Sequence, residues 1–553
     1  MAGLIGTALS GILASQRSLE TTSHNIANVN TEGYSRQYTE LGTRPAEFTG
    51  AGWVGYGVNV ETISRSYDRF ITSQLTSSSS AFSESDMFSR MAARVDNIVA
   101  NESTGLSPAL KSFFNAVNEV ANDPSSLPVR QVMISEADSL AHQFNTMSAQ
   151  FGELLDQTNS QLQAQITDIN NYAQQIADLN AQIIYGSNRT AKEHLANDLL
   201  DKRDALVAKI AEKVSVTTLP QKDGSLSVFF GSGQTLVLGT QASTLSLAGS
   251  ATDYNHKDIL VNGQIITKQI AGGELYGVLK FRDQILEPAQ NQLGLLAAGF
   301  AVEFNKLHTT GFDLNGAAGQ DMFSLGTPTL TVPVVPDPSA TGTVSAVYDP
   351  ATTGQLYPSD YQLSYDGANY TLTRLSDNTV TTYSALPATT TINGPGFTIS
   401  TSTVAAGDRF LIRPTFDAAG KITTLINKPE EIAAAGTNLP GPPVAPIPGD
   451  NTVALSLADL EKRSILLNGK TTFSDAYSQL VTQVGTLTHS AKVSRSAQEV
   501  LFNQAKQTRE NLAGVNLDEE AANLVKFQNA YQASAQAIAV AHSLFDTLIG
   551  AVR

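Results

Sequence analysis

Proline placement constrains this chain more than any other feature of its sequence. The first proline is Pro45, none lies between Pro128 and Pro220, and none follows Pro448. An interior proline removes a helical hydrogen bond and clashes with the turn before it, so these proline-free windows are where long helices can run.

Each window carries an apolar repeat of period seven. The first has Ile5, Ile12, Leu19 and Ile26, with Ala8, Ser15, Thr22 and Val29 three residues on. The middle window has Leu155, Leu162, Ile169, Ile176 and Ile183, set among Asn159, Gln161, Gln163, Asp168, Asn170, Gln174 and Gln175. The last has Leu524, Tyr531, Ile538, Phe545 and Val552 as one row and Phe527, Ser534, Ala541 and Leu548 as the other. Upstream of it, Phe473, Leu480 and Leu487 with Tyr477, Val484 and Ala491 repeat the pattern. Two rows at that spacing form a seam that buries only against other helices.

The terminal seams are weak alone. A helix from Leu524 to Val552 spans about 40 Å at ~1.5 Å per residue. Ordering its backbone costs roughly 1–2 kcal/mol per residue, while each large seam residue returns about 1.5–3 kcal/mol on burial, and Ser534 and Ala541 return little. Gly3, Gly6 and Gly11 loosen the first helix further. The simplest topology packs the two ends together, and ends of this kind are expected to order on assembly with neighbouring subunits. Pairing within one monomer is an alternative. A membrane-surface helix is another, opposed by Arg17 being the only Lys or Arg in the first 35 residues.

Between the helical windows the period changes. Val214, Val216, Leu226, Val228, Phe229 and Leu236 to Leu238 sit among Asp-Gly and Gly-Ser turns, which predicts short strands to about Leu275. A second β region runs from about Thr327 to Pro414, rich in Thr and Tyr, with Asp366-Gly367 and Asn393-Gly394 as turn signals. A helix is predicted between them from Leu275 to Leu307. Gly436 to Gly449 holds five prolines and reads as a stiff polyproline-like connector.

The expected fold class is therefore α+β multidomain, with long terminal and middle helices in a helical bundle or coiled coil and inserted β-rich outer domains. Residues 1–60 and 510–553 would form a terminal coiled-coil assembly domain. Residues 61–213, 275–325 and 427–509 would form a helical bundle domain, 214–274 a small β domain and 326–426 a β-rich outer domain.

Chemistry is sparse. A net charge of −16 repels nucleic-acid phosphates and anionic lipid heads, which predicts neither as a partner. There is no cysteine, hence no disulfide, thiolate ligand or thiol nucleophile. His24, His142, His194, His256, His308, His489 and His542 are not spaced as zinc pairs. No phosphate loop, nucleophile elbow or dinucleotide fingerprint is present, so no enzyme, cofactor or metal is predicted. Gly52, Gly55 and Gly57 around Trp53 and Tyr56 read as a tight β-turn packing the only Trp. Asp313 to Gly316 with Asp321 reads as an Asx turn rather than a calcium loop. Asp518, Glu519 and Glu520 read as capping a helix N-terminus, and Asp201, Lys202, Arg203 and Asp204 as a solvated helix face. Met1 to Ala14 lack the basic leading region of a signal peptide.

Asn25-Ile26-Ala27-Asn28-Val29-Asn30-Thr31-Glu32-Gly33-Tyr34-Ser35-Arg36 resembles the N-terminal motif shared by bacterial flagellar rod, hook and hook-associated proteins. Gly514 to Glu520, followed by Phe527-Gln528-Asn529-Ala530-Tyr531-Gln532-Ala533-Ser534-Ala535, looks like the matching C-terminal motif. Leu199 to Leu206, Leu279 to Asp283, Phe304 to His308 and Gly407 to Pro414 are similar to the first hook–filament junction branch of that superfamily. The resemblance implies an extracellular structural subunit of the junction zone between hook and filament, in a ring-like self-assembly. It implies hook protein and the second junction protein as neighbours, a cytoplasmic export chaperone on the C-terminal helix, and type III export without a cleaved signal peptide. Asn25, Ile26, Asn28, Thr31, Gly33 and Tyr34 match the family's first motif, and Asn516, Leu517, Gln528 and Tyr531 its second. With the seam residues Ile5, Ile12, Leu19, Leu524, Phe527, Ile538, Phe545 and Leu548, these are the candidate assembly residues. The competing reading, from another class, is a secreted coiled-coil adhesin with ligand-binding β domains.

Overall fold

The computed structural model describes residues 2–48, 50, 52–101, 105–189, 196–250, 256–326, 330–437 and 447–552. His194 and residues 438–446 of the proline-rich connector lie outside the described residues. The helices are α1 (Ala2–Ala27), α2 (Arg69–Val99), α3 (Leu106–Asn122), α4 (Leu127–Arg189), α5 (Asn197–Lys213), α6 (Gly273–Phe281) and α7 (Glu287–His308), then α8 (Ala418–Lys421), α9 (Thr452–Asp459), α10 (Leu466–Gly469), α11 (Phe473–Ala513) and α12 (Leu517–Val552).

The middle proline-free window is α4, a single helix of 63 residues, about 95 Å long at ~1.5 Å per residue. Its repeat from Leu155 to Ile183 is buried throughout. Alongside it, α2 and α11 form a second long pair, fastened by Phe82 stacked on Phe502 at 5.5 Å and by Arg495 Nε on Asp86 Oδ1 at 2.6 Å. Phe113, Phe300, Phe304 and Phe323 make the aromatic centre where α3 and α7 meet, with Phe113 and Phe300 centroids 5.3 Å apart. The helix predicted over 275–307 is two helices. A five-residue π turn, Arg282–Leu286, joins α6 to α7, because Pro288 in the first turn of α7 has no N–H for the ordinary ladder.

Strands β1 (Gln37–Thr43) and β4 (Val58–Arg65) pair antiparallel, and β2 (Glu47–Phe48) with β3 (Trp53–Val54) continues them in the same register. This ribbon lies along α1. Ser18 Oγ meets Thr39 Oγ1 at 2.8 Å, Val58 N donates to Ser10 Oγ at 3.1 Å, and a Cβ at Gly57, whose φ is +94°, would strike Ser10 Oγ. The expected packing of the only Trp into a β-turn is wrong: Trp53 is 74% exposed at the ribbon's tip.

The inner β region is a four-stranded antiparallel sheet over Val216–Ala242 and a three-stranded one over Leu245–Ile265. The outer region has two antiparallel sheets whose inner faces meet, with Tyr361 edge-on to Phe397 at 5.2 Å and the Tyr370 hydroxyl donating to Thr401 Oγ1 at 3.2 Å. Asparagines on α4 fasten these excursions through backbone groups. Asn170 bonds both ways with Leu245, at 2.9 Å each. Asn180 donates to Leu226 O at 2.9 Å and to Gly239 O at 2.6 Å, and accepts from Leu226 N at 3.0 Å. Asn145 donates to Ala419 O at 2.9 Å. The two ends of the proline-rich connector are tied by Asp450, whose Oδ2 accepts from Gly436 N at 2.9 Å and Thr437 N at 3.1 Å. Asp313 Oδ1 accepts from Asn315 N and Ala317 N at 2.8 Å each, the geometry of an Asx turn.

Candidate assembly site

The two terminal helices run antiparallel against each other. A Cβ on Gly11 would lie 2.8 Å from Ser534 Oγ, and fourteen residues further along each helix Asn25 meets Glu520. Small residues make this contact close. Ala8, Ser10, Ala14, Ser15, Ser18, Thr21 and Thr22 are buried on α1, Ser10 and Ser18 against the ribbon, and Ala541 on α12.

A two-helix pair covers only part of each seam. Ile5, Ile12, Leu19 and Ile26 are half-buried, as are Leu524, Phe527 and Ile538. Tyr531, Phe545 and Leu548 point outward at 40%, 47% and 53% exposure. Gln528, Asn516 and Leu517 are also exposed. The intramolecular pair thus leaves unmet much of the apolar surface that its heptads call for.

The proximal end of the pair is keyed to the body by a buried polar joint. At the end of α1, Asn28 Nδ2 donates to His24 O at 3.0 Å and Thr31 Oγ1 to Asn28 Oδ1 at 3.1 Å, closing a turn in which Gly33 has φ +81°. That turn brings Tyr34 back under Asn25. The Asn25 amide is then fully used: Oδ1 accepts from the Tyr34 hydroxyl at 2.8 Å and Gln37 N at 2.9 Å, while Nδ2 donates to Gln37 O at 2.8 Å and Glu520 Oε2 at 3.1 Å. Arg36 Nε donates to Glu520 Oε1 at 2.7 Å, and Arg36 also pairs with Glu519 at 3.1 Å. Asn516 caps α12 through Oδ1, which accepts from Asp518 N at 2.9 Å. Backbone bonds complete the joint: Arg36 N donates to Ala513 O at 2.8 Å and Ser66 N to Arg36 O at 2.7 Å.

On its other side the joint rests on α5. Asp201 Oδ2 accepts from Ser35 N at 2.9 Å, and Arg65 Nη1 lies 2.7 Å from both Asp201 Oδ1 and Asp204 Oδ2. Arg203 Nη1 donates to Asn180 Oδ1 at 3.0 Å. The expectation of a solvated face at 201–204 is therefore wrong for Asp201 and Arg203, both 6% exposed. Glu520, read as one of three capping carboxylates, is likewise a buried partner, 1% exposed, while Asp518 and Glu519 stay at the surface. Burial raises the Asp204 carboxyl above its ordinary range against the pull of Arg65. Burial, then the Asp198, Asp201 and Glu520 charges, push the Tyr34 hydroxyl well above its ordinary value and hold it as a neutral donor. Arg36, Arg65, Asp201 and Glu520 were not among the candidate residues. Nothing in the local sequence around Arg36 or Glu520 marks them as partners; only the fold brings them together.

Away from the joint, His256, Asp283 and Glu287 place one potential ligand atom each within 4.8 Å of the others. The buried Arg282 guanidinium lies 2.9 Å from Asp283 Oδ1 and 3.8 Å from Glu287 Oε1 and offsets part of their charge.

Four family models match the chain: flagella basal body rod protein over 5–34, flagellar hook-associated protein FlgK helical domain over 92–323, a flagellar hook-associated protein 1 D2-like domain over 338–414, and flagellar basal body rod FlgEFG protein C-terminal over 506–551. The flagellar hook-associated protein 1 of Salmonella typhimurium (strain LT2) is 34% identical, over 99% of this chain and 100% of its own length. That of Escherichia coli (strain K12) is 33% identical over 99% and 100%, and that of Bacillus subtilis (strain 168) 24% identical over 98% and 97%. The solved flagellar hook junction protein FlgK from Burkholderia pseudomallei superposes with a TM-score of 0.71 at 26% identity, over 80% of this chain and 100% of that one. Terminal motifs, interior domains and overall architecture agree, and the chain belongs to the flagellar hook-associated protein 1 family.

Proposed function

We infer that the chain is a structural subunit of the bacterial flagellum, forming the junction zone between hook and filament and assembling through its terminal helices. It is a flagellar protein that assembles with other flagellar axial proteins. The observation that carries this reading is the half-covered seam of α1 and α12 held on a rigid polar joint. An apolar surface presented at a defined angle to the body is what a lattice subunit needs, and it requires no chemical step.

The finer reading follows the same logic. The subunits form a ring-like zone with hook protein on one side and the second junction protein on the other, and the chain acts without catalysis. A cytoplasmic chaperone covers the exposed face of α12 before type III export, which proceeds without a cleaved signal. Residues 1–60 with 510–553 serve as the assembly domain, and Ile5, Ile12, Leu19, Asn25, Ile26, Asn28, Thr31, Gly33, Tyr34, Asn516, Leu517, Leu524, Phe527, Gln528, Tyr531, Ile538, Phe545 and Leu548 as its contact and shaping residues. The residues between form the helical bundle (61–213, 275–325, 427–509), the small β domain (214–274) and the outer domain (326–426). Deleting the last 30 residues is expected to abolish incorporation into flagella while export of the truncated chain is followed by immunoblot; normal filaments from such a strain refute the reading.

A further inference from the structure

The tip of the β1–β4 ribbon is apolar and uncovered. Phe48 and Trp53 face each other edge-on at 5.8 Å and stand 60% and 74% exposed, with Val54 at 49%. A two-stranded ribbon is marginal in water unless its face is packed; this one is packed along α1 and, at its base, against α5. From Gly57, which abuts Thr7 and Ser10 of α1, four more residues of each strand carry the ribbon about 13 Å further at ~3.3 Å per residue. The register from Leu41–Val60 out to Phe48–Trp53 is unbroken, so the tip reaches to and past the start of α1.

The same end of the terminal pair holds the largest unmet apolar surface of α12. With α1 and α12 antiparallel through Gly11 and Ser534, the last turns of α12 run past the start of α1. There Leu544, Phe545, Leu548 and Ile549 are 51%, 47%, 53% and 48% exposed. At spacings of one and four they form one stripe on one side of the helix. Asp546 and His542 are the only titratable groups between residues 532 and 552, so no charge opposes an aromatic partner.

We propose that the Phe48–Trp53 tip of one copy docks on the Leu544–Ile549 stripe of α12 in a second copy, as an aromatic anchor between neighbouring subunits. The occupant is a second copy because both surfaces lie at the same end of the same helix pair and each is left in water within one chain. They are also continuous with the seam already assigned to assembly. Trp seated in an apolar stripe is the side chain that most often dominates an interface. The proposal rests on the junction reading and deepens it by naming a contact.

The chain has no cysteine, so between copies of it thiols placed at two sites report only on each other. Chains carrying Trp53→Cys and chains carrying Ile549→Cys are co-expressed in cells lacking the native protein, and isolated flagella are oxidised. The expected product is a disulfide-linked dimer that needs both variants. Filaments without that dimer, a dimer from Trp53→Cys alone, or a link to a different flagellar protein overturns the proposal and leaves the junction reading standing. Normal filaments that contain neither chain sink the junction reading itself. If a thiol variant fails to reach the flagellum, Trp53→Phe is compared with Trp53→Glu. Filament outgrowth should differ by roughly tenfold or more, with equal thermal melting of the purified chains, and equal outgrowth overturns the proposal.

Discussion

Asn25 is the residue on which the angle between terminal pair and body should depend most. Replacing it with Ala strands four groups: the Tyr34 hydroxyl, Gln37 N–H, Gln37 C=O and one oxygen of Glu520. Each buried group left unpaired costs about 1–3 kcal/mol. Water reaching the rim relieves some of them, and Arg36 retains the other Glu520 oxygen, so a total of about 3–5 kcal/mol is expected. The loss falls on local opening of α1 from the joint, because the α4 core shares none of these bonds. Amide exchange in the second half of α1 should accelerate by roughly two to three and a half powers of ten, at about 1.4 kcal/mol per power, with α4 unchanged. Asn25→Asp is the sharper variant. It keeps the acceptor for Tyr34 and Gln37 N–H but sets a carboxylate against Glu520, so it should exchange at least as fast as Asn25→Ala at neutral pH and slow again as the new acid is protonated. Wild-type protection in Asn25→Asp at pH 7 would refute the assigned role.

Three further outcomes are expected. His308 is fully buried, with Nδ1 on Gln320 O at 2.6 Å and Nε2 accepting from Ala433 N at 2.8 Å, so the ring is held neutral; burial, aided by Arg130, pushes its pKa down to about 4. A folded pKa below the ordinary one means stability is intact above about 6.5 and lost as pH falls toward 4. The difference in unfolding free energy between wild type and His308→Gln, from urea titrations, should therefore shift by about 3 kcal/mol over that window, and a pH-independent difference would contradict it. Gly11→Val should wedge α1 from α12 at Ser534 and reduce incorporation into flagella, with partial rescue by Ser534→Gly; a full-strength junction in the single variant would count against the close contact. Asn180→Leu should loosen the strands over Val216–Ala242 by about 2–4 kcal/mol, read as faster limited proteolysis there than in the outer sheets.

Periodicity made the helices legible. Leu155 through Ile183 and Phe473 through Ala491 point inward because each repeat meets several helices, and a seam with several partners buries whatever its register dictates. The terminal seam was legible as a pattern, but its coverage was not: one partner helix hides Ala541 and leaves Leu548 in water. Asp201 and Arg203 were misread because charges spaced along a helix look the same facing solvent or facing Arg65, which lies 136 residues away in sequence. Glu520 and Asn25, 495 residues apart, pose the same problem, since no local rule distinguishes a capping carboxylate from a buried one. Trp53 failed the opposite way. A large aromatic among glycines reads as core, and its exposure follows from the ribbon outrunning the helix that supports it.

The asparagines of α4 have an evolutionary consequence. Asn170 and Asn180 grip main-chain amides and carbonyls of the inner strands, groups that nearly every residue type presents alike. Strands moored in this manner can exchange nearly all of their side chains without slipping from the mast. The lobe over Val216–Ile265 can thereby change its surface while keeping its place on α4.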